Sequence, residues 1–169
     1  YCNFEFDLCG WKQDENDDFD WNLRTSSTTK LGIGPATDHT LQEPSGHYIF
    51  IKSSFLQLPG QKARISSPVL SRRNKNCKVC ESYFLRLQIL FYYYMYGAHV
   101  GSLIVYQRTT LKHEKILLNL TGNQGNFWQH KALSLSGDGN DFQVVFEGIA
   151  GKGPKDGIAL DDLTFSREC

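Results

Sequence analysis

The sequence lacks a helical signature. No stretch long enough for an amphipathic helix repeats its apolar residues at three and four positions, which argues against helical bundles and folds built on crossover helices. It also lacks net charge. Eighteen Lys+Arg balance eighteen Asp+Glu, so there is no basic footprint for nucleic acid or for an anionic membrane surface. The densest apolar stretch, Leu87 to Tyr96, follows Arg86 and falls well short of the roughly 20 residues of a transmembrane helix. Direct membrane insertion by this segment is therefore not expected.

Catalytic motifs are missing too. There is no G-x-S-x-G elbow, and the histidines (His39, His47, His99, His113, His130) are scattered, as expected of surface or strand-end residues. A carboxylate pair for glycoside hydrolysis cannot be picked out by spacing, so no enzyme activity is expected. The Cys77-Lys78-Val79-Cys80 pair has neither a βαβ pattern for a redox centre nor a second Cys or His pair for zinc. Structural bridging is its preferred reading. The absence of an initiator Met and of a targeting segment suggests a module of a larger protein.

What is present is short alternation of apolar and polar residues between turn-forming clusters. The pattern predicts strands over 3–7, 47–53, 62–69, 83–96, 100–108, 115–120, 130–135, 142–148 and 158–165. Gly32-Ile33-Gly34-Pro35, Pro59-Gly60, Gly122-Asn123-Gln124-Gly125 and Gly137-Asp138-Gly139-Asn140 punctuate them. Many short strands without crossovers predict an all-β, antiparallel sandwich occupying residues 1–169 as one domain. One strand breaks its own phase. Ile158 and Leu160 alternate, but the next apolar residues are Leu163 and Phe165, so a bulge or corner is expected at Asp161-Asp162.

Oxygen-rich side chains gather in Asp14-Glu15-Asn16-Asp17-Asp18-Phe19-Asp20-Trp21. Such a loop suits a hard cation or is simply a solvated acidic turn anchored by Phe19 and Trp21. A cation gains weight if Glu5, Asp38 and the Asp161-Asp162 bend converge. Trp11, Trp21 and Trp128 with Tyr92 to Tyr94 and Tyr96 could line a glycan platform, although alternation assigns half of a strand's aromatics to the core. Five cysteines and one N-x-[ST] site, Asn119-Leu120-Thr121, favour an oxidising, secreted setting with Asn119 as a glycosylation site.

Together these residues carry a family resemblance. Cys2-Asn3-Phe4-Glu5, Cys9-Gly10-Trp11, Asp17-Asp18-Phe19-Asp20-Trp21, Gly34-Pro35 with Asp38-His39-Thr40, and Ser45-Gly46-His47-Tyr48 are followed in order by Tyr94-Met95-Tyr96-Gly97, Val100-Gly101-Ser102-Leu103, Gly125 with Trp128, Phe142 to Gly148, and Ile158 to Leu163. In this order and spacing the chain resembles a MAM domain over essentially its whole length. That resemblance implies a disulfide-stapled jelly-roll β-sandwich in the ectodomain of a secreted or cell-surface protein. It also implies a non-catalytic adhesion or oligomerisation module with protein partners, homophilic ones included. A glycan-binding jelly roll is the alternative. The resemblance further implies a structural Ca2+ or Na+ ion, with no catalytic cofactor, near Glu5 and Asp161 or Asp162; Asp18 and Asp38 complete the candidate metal set.

The family pattern also implies a Cys2–Cys9 bridge and a second bridge from the last cysteine to one preceding the Tyr-rich strand. Here Gln88 stands in that cysteine's place, and deleting residues 80–90 restores the pattern as CKVFYYYMYG, so eleven residues read as an insert. The preferred pairing is Cys77–Cys169 with Cys80 free, ahead of Cys80–Cys169 and then Cys77–Cys80. Tyr83, Leu85, Leu87, Ile89, Phe91, Tyr93 and Met95 keep one alternating face, so the strand is expected to run through part of the insert.

Overall fold

The structure is a computed structural model that describes residues 1–28, 33–52, 58–70, 86–136, 140–153 and 156–168. These form ten strands: β1 (Lys12–Gln13), β2 (Asn22–Thr25), β3 (His47–Lys52), β4 (Lys62–Ser66), β5 (Arg86–Tyr96), β6 (Ser102–Thr109), β7 (Glu114–Thr121), β8 (Gly125–Leu135), β9 (Phe142–Ile149) and β10 (Gly157–Glu168). Among the described residues the sole helical element is a 3-10 turn, Ser26–Thr28. Two five-stranded antiparallel sheets result, ordered β1-β4-β9-β6-β7 and β2-β3-β10-β5-β8. From β3 to β10 the chain changes sheet at every step except the β6–β7 hairpin, in a jelly-roll arrangement with β3-β10-β5-β8 facing β4-β9-β6-β7.

The period of two explains why these segments are strands. On β5, Leu87, Ile89, Phe91, Tyr93 and Met95 are all buried and point between the sheets. They meet Val144 and Phe146 of β9 and Leu103 and Val105 of β6 in one core, where the Phe91 and Phe146 rings sit edge to face at 5.0 Å. The strand therefore runs into the 80–90 stretch, as expected: residues 87–90 pair with Arg167 to Thr164 on one side and Leu135 to Ala132 on the other. Tyr83, Leu85, Cys77, Cys80 and Cys169 lie outside the described residues.

The outer face of the β5 sheet carries a second, smaller core. Tyr48, Phe50, Tyr94 and Ala159 pack there with Ile33 and Trp128. The Trp128 indole N–H donates to the Thr37 carbonyl at 2.9 Å, tying the long connection between β2 and β3 onto the sheet.

Several expected boundaries shift. Residues 3–7 are not a strand: Phe4 has φ 58°, and the segment pairs only through a Cys2–Leu163 bridge. Alternation alone suggested a strand there, but the Cys2–Cys9 ring bends the chain and leaves Phe6 92% exposed. The strand expected over 62–69 stops at Ser66: the Ser67 hydroxyl takes the Val144 N–H at 2.9 Å, Pro68 has no N–H to give, and the chain meets β9 again at the Leu70–Phe142 bridge. β8 begins five residues earlier than its apolar pattern suggested. β1 and β2 have too few apolar residues to show in the pattern.

Candidate functional site

The phase slip in the last strand is real, and the site forms around it. Asp161 pairs with Tyr92 and Thr164 with Leu90, so β10 spends one residue more than β5 across this interval. Asp162 takes φ 51°, the left-handed conformation of a bulge residue. Both carboxylates are buried and turn toward the loop 38–47.

Asp161 Oδ2 accepts the backbone N–H of His39 at 2.8 Å and that of Thr40 at 3.3 Å, while its Oδ1 accepts the N–H of Asp162 at 2.8 Å. The Asp162 carboxylate takes the Tyr1 and Thr40 hydroxyls on Oδ1, both at 2.7 Å, and lies 2.5 Å from His39 Nδ1 through Oδ2. Glu5 works from the other side: its Oε1 accepts the N–H of His47 at 2.9 Å, and Oε2 is 3.4 Å from His47 Nδ1. Fully buried Asp38 closes the loop from within by accepting the N–H groups of Leu41 at 2.8 Å and Glu43 at 3.1 Å. A residue larger than glycine at 46 would place Cβ 2.1 Å from the Asp38 carboxyl carbon.

Glu5, Asp38, Asp161 and Asp162 thus converge on one loop, and the Cys2–Cys9 bridge holds Glu5 there. The bridge pairs cysteines whose Cα atoms are 5.7 Å apart, as the resemblance implied. Cys2 itself exchanges two backbone hydrogen bonds with Leu163, directly after the bulge. The N-terminal segment, the loop and the last strand are one latch. Burial, and then the neighbouring Asp162 charge, push the Asp161 carboxyl up to about 8, against the lowering effect of the N–H groups of His39, Asp162 and Thr40.

Asp18 does not join this group. The acidic stretch lies along the open side of β4, where Asp17 Oδ2 accepts the N–H of Arg64 at 2.5 Å and Asp18 Oδ2 that of Lys62 at 2.8 Å. These carboxylates stand in for a missing neighbour strand. Asp14 also accepts from Ser66 and pairs with Arg108 at 2.8 Å. Burial pushes its carboxyl up, but hydrogen bonds from Arg108 and Ser66 outweigh this and hold it below the usual range. Sequence reasoning left this loop as either a cation site or a solvated acidic turn anchored by Phe19 and Trp21, because its partners lie 44 and 47 residues away.

A cation can be tested against the latch by charge and by geometry. The ion pairs of Asp162 and Glu5 are to histidine, with no Lys or Arg partner for any of the four latch carboxylates among the described residues. The charge of the group fits a hard cation. Among the described residues, however, no three His, Cys, Asp or Glu side chains stand together as a preformed shell.

The tryptophans make a poor glycan platform. Trp11 and Trp21 are in the core, and Trp128 is held by Thr37 against Tyr48 and Tyr94. Tyr92 is stacked on the His39 ring at 3.4 Å between centroids. The two latch histidines, His39 and His47, stand within motifs of the resemblance, but their pairing with Asp162 and Glu5 had no local signal, because those carboxylates are remote in the chain.

Residues 2–169 match the family model described as MAM domain, meprin/A5/mu. The chain belongs to the MAM family. This MAM domain is 35% identical over 173 residues to MAM domain-containing glycosylphosphatidylinositol anchor protein 1 of Gallus gallus, covering 98% of the chain and 17% of that protein. It is 36% identical to the Homo sapiens protein of the same name over 99% of the chain and 17% of that protein. To neuropilin-1 of Gallus gallus it is 35% identical over 92% of the chain and 15% of that protein.

Solved structures show the sandwich again. A carbohydrate-binding module in complex with β-1,4-galactotriose matches with a TM-score of 0.58 at 8% identity, over 94% of this chain and 88% of that one. A xylan-binding domain from Paenibacillus barcinonensis matches with a TM-score of 0.52 at 10% identity, over 98% and 91%. At such identities the likeness is one of fold. The MAM domain is an extracellular module of the cell-surface type, and MAM is not a catalytic family. Among the described residues, no helix is long and apolar enough to cross a membrane.

Proposed function

We propose that this MAM domain is a non-catalytic adhesion and assembly module that docks protein partners at its latched end. The observation carrying this reading is the set of apolar side chains presented beside the latch. Phe6 is 92% exposed on the disulfide-closed loop, Tyr1 72% and Leu41 50%. Large apolar groups on a rigid, pre-ordered surface are what protein interfaces use as anchors, since little conformational entropy remains to be lost on docking.

The mechanism is presentation. The Cys2–Cys9 bridge, the Glu5–His47 contact and the Asp161–Asp162 bulge fix the N-terminal segment against loop 38–47 and β10. Homophilic pairing is one form this docking can take. Glu5, Asp161 and Asp162 would hold the Ca2+ or Na+ ion that the family resemblance implies, and its charge would offset the crowded carboxylates.

The test is adhesion of cells or beads to a surface coated with the domain. Phe6→Asp should abolish adhesion without changing the melting temperature, since Phe6 touches little of its own chain. Undiminished adhesion by that variant would sink the docking site. The glycan-binding alternative has a separate readout: binding on a glycan array that is lost on altering Tyr92 or Trp128 would favour it.

A further inference from the structure

Among the described residues, three of the four sheet edges are guarded against pairing with another chain. β1 is two residues long, and beyond it Asp17 and Asp18 occupy the free N–H groups of β4. β2 is four residues long, with Arg24 laid over the Phe50 ring at 4.4 Å. β8 is eleven residues long, but Lys131 stands opposite the core residue Phe91, which places a charge on the inward side of the open edge. Short edges, capped N–H groups and inward charges all oppose edge-to-edge association.

β7 is the exception. Its charges end with Glu114 and Lys115, and its one irregularity is a bulge at Leu117, between the Tyr106–Ile116 and Val105–Leu118 pairs. From Ile116 to Thr121 the strand carries neither charge nor proline. Ile116 is 56% exposed, and Leu117, Leu118 and Leu120 are only partly covered by the core. Beyond that bulge, an uncharged and largely apolar edge of this kind is a template for strand pairing.

The Asn119-Leu120-Thr121 triplet forms the last three residues of that edge strand. Asn119 is exposed and pairs with Ile104, Ile116 pairs with Tyr106, and both project from the outer face of the sheet. The Thr121 hydroxyl, also exposed, donates to Asn119 Oδ1 at 3.4 Å. We propose that Asn119 carries an N-linked oligosaccharide that guards β7, keeping the domain from pairing through this edge with a second copy of itself. This rests on the extracellular reading above and confines assembly to the latched end.

The co-reactant is a lipid-pyrophosphate-linked oligosaccharide. Asn119 Nδ2 forms a bond to the anomeric carbon of the first sugar, the bond from that carbon to the pyrophosphate oxygen breaks, the amide loses one proton, and the lipid pyrophosphate leaves. The attached sugar is bulky and hydrophilic, so a strand approaching β7 would have to displace it.

The experiment is secretion of the domain from a eukaryotic cell, peptide mapping at residue 119, and sedimentation velocity before and after release of the glycan from the folded protein by an endoglycosidase that leaves the uncharged Asn119 amide with its first sugar. Occupied Asn119, a monomer when glycosylated, and concentration-dependent association after release are expected. Asn119→Gln and Thr121→Ala should associate in the same way. Asn119→Lys should remain monomeric, because a charge at the edge replaces the missing guard. Bare Asn119 in secreted protein with a closed Cys2–Cys9 bridge would overturn the proposal while leaving the extracellular reading intact. Occupied Asn119 with no association after release would overturn the guarding role. Reduced Cys2 and Cys9 in a chain retained in the cell would overturn both readings together.

Discussion

The Asp161 carboxylate accepts the backbone N–H of His39 at 2.8 Å, joining the last strand to a loop 122 residues earlier. Asp161 faces that loop by alternation, on the same outer face as Ala159, and the bulge immediately after it returns Leu163 to the inner core. Without the extra residue, the side chains that follow would leave the sheet on the opposite face.

The stability of the domain should fall as pH rises. Asp161 is raised from 3.8 to about 8 on folding, so between those values the folded chain keeps a proton that the unfolded chain has released. The folded state then binds more protons than the unfolded one, and the free energy of unfolding declines with pH across that window. Below it both states are protonated, and above it the penalty is complete. Melting curves taken in chelator at several pH values would show the decline, and Asp161→Asn should flatten it.

Calcium should oppose that decline. A cation held by Glu5, Asp161 and Asp162 stabilises the ionised carboxylates, so melting in calcium should exceed melting in chelator, with a wider gap at the alkaline end of the window. Equal melting at both ends would leave the latch to its hydrogen bonds alone.

Removing the Cys2–Cys9 bridge as the double Ser variant should cost about 2 kcal/mol by the loop-closure relation for a short ring. The bridge has a sequence separation of 7. Denaturant unfolding measures the loss. Because Glu5 lies inside the ring, adhesion should weaken in the same variant even where it remains folded.

Gly46→Ala should destabilise by about 1–3 kcal/mol, the usual cost of overpacking. Its Cβ would displace the Asp38 carboxylate from the N–H groups of Leu41 and Glu43, with no space for it to retreat in a fully buried position. An unchanged midpoint in a denaturant titration would show that the loop can shift as a body.

Neighbouring residues of the insert should behave oppositely. Ile89 is fully buried, so Ile89→Ala should cost about 2–5 kcal/mol. Gln88, on the other face and half-buried, should tolerate alanine within about 0.5 kcal/mol. Equal effects at the two positions would mean that β5 does not continue into the insert.

Local pattern carries far in some places and nowhere in others. Alternation marked β3, β5, β9 and β10, because each places every second residue in a two-sheet core. The slip from Leu160 to Leu163 was legible for the same reason: a buried face cannot change sides without an extra residue. The Asn3-Phe4-Glu5-Phe6 alternation misled, since the disulfide ring bends that segment and turns Phe6 outward. Asp18 was grouped with the latch carboxylates by residue type, whereas its partner is the free N–H of Lys62 at a sheet edge.

The amino-acid sequence by itself determined the all-β sandwich, the family, the Cys2–Cys9 bridge and the position of the bulge, since each follows from short-range periodicity or from an ordered set of motifs. Only the tertiary structure decided which carboxylates act together. Glu5, Asp38, Asp161 and Asp162 all bond to the loop 38–47 because β3 and β10 are neighbours in one sheet and the disulfide folds the N-terminus across them, while Asp17 and Asp18 are drawn to the unpaired backbone of β4 in the other. Hydrogen bonds between residues 42 to 122 positions apart depend on strand order, and no local pattern of charge encodes it.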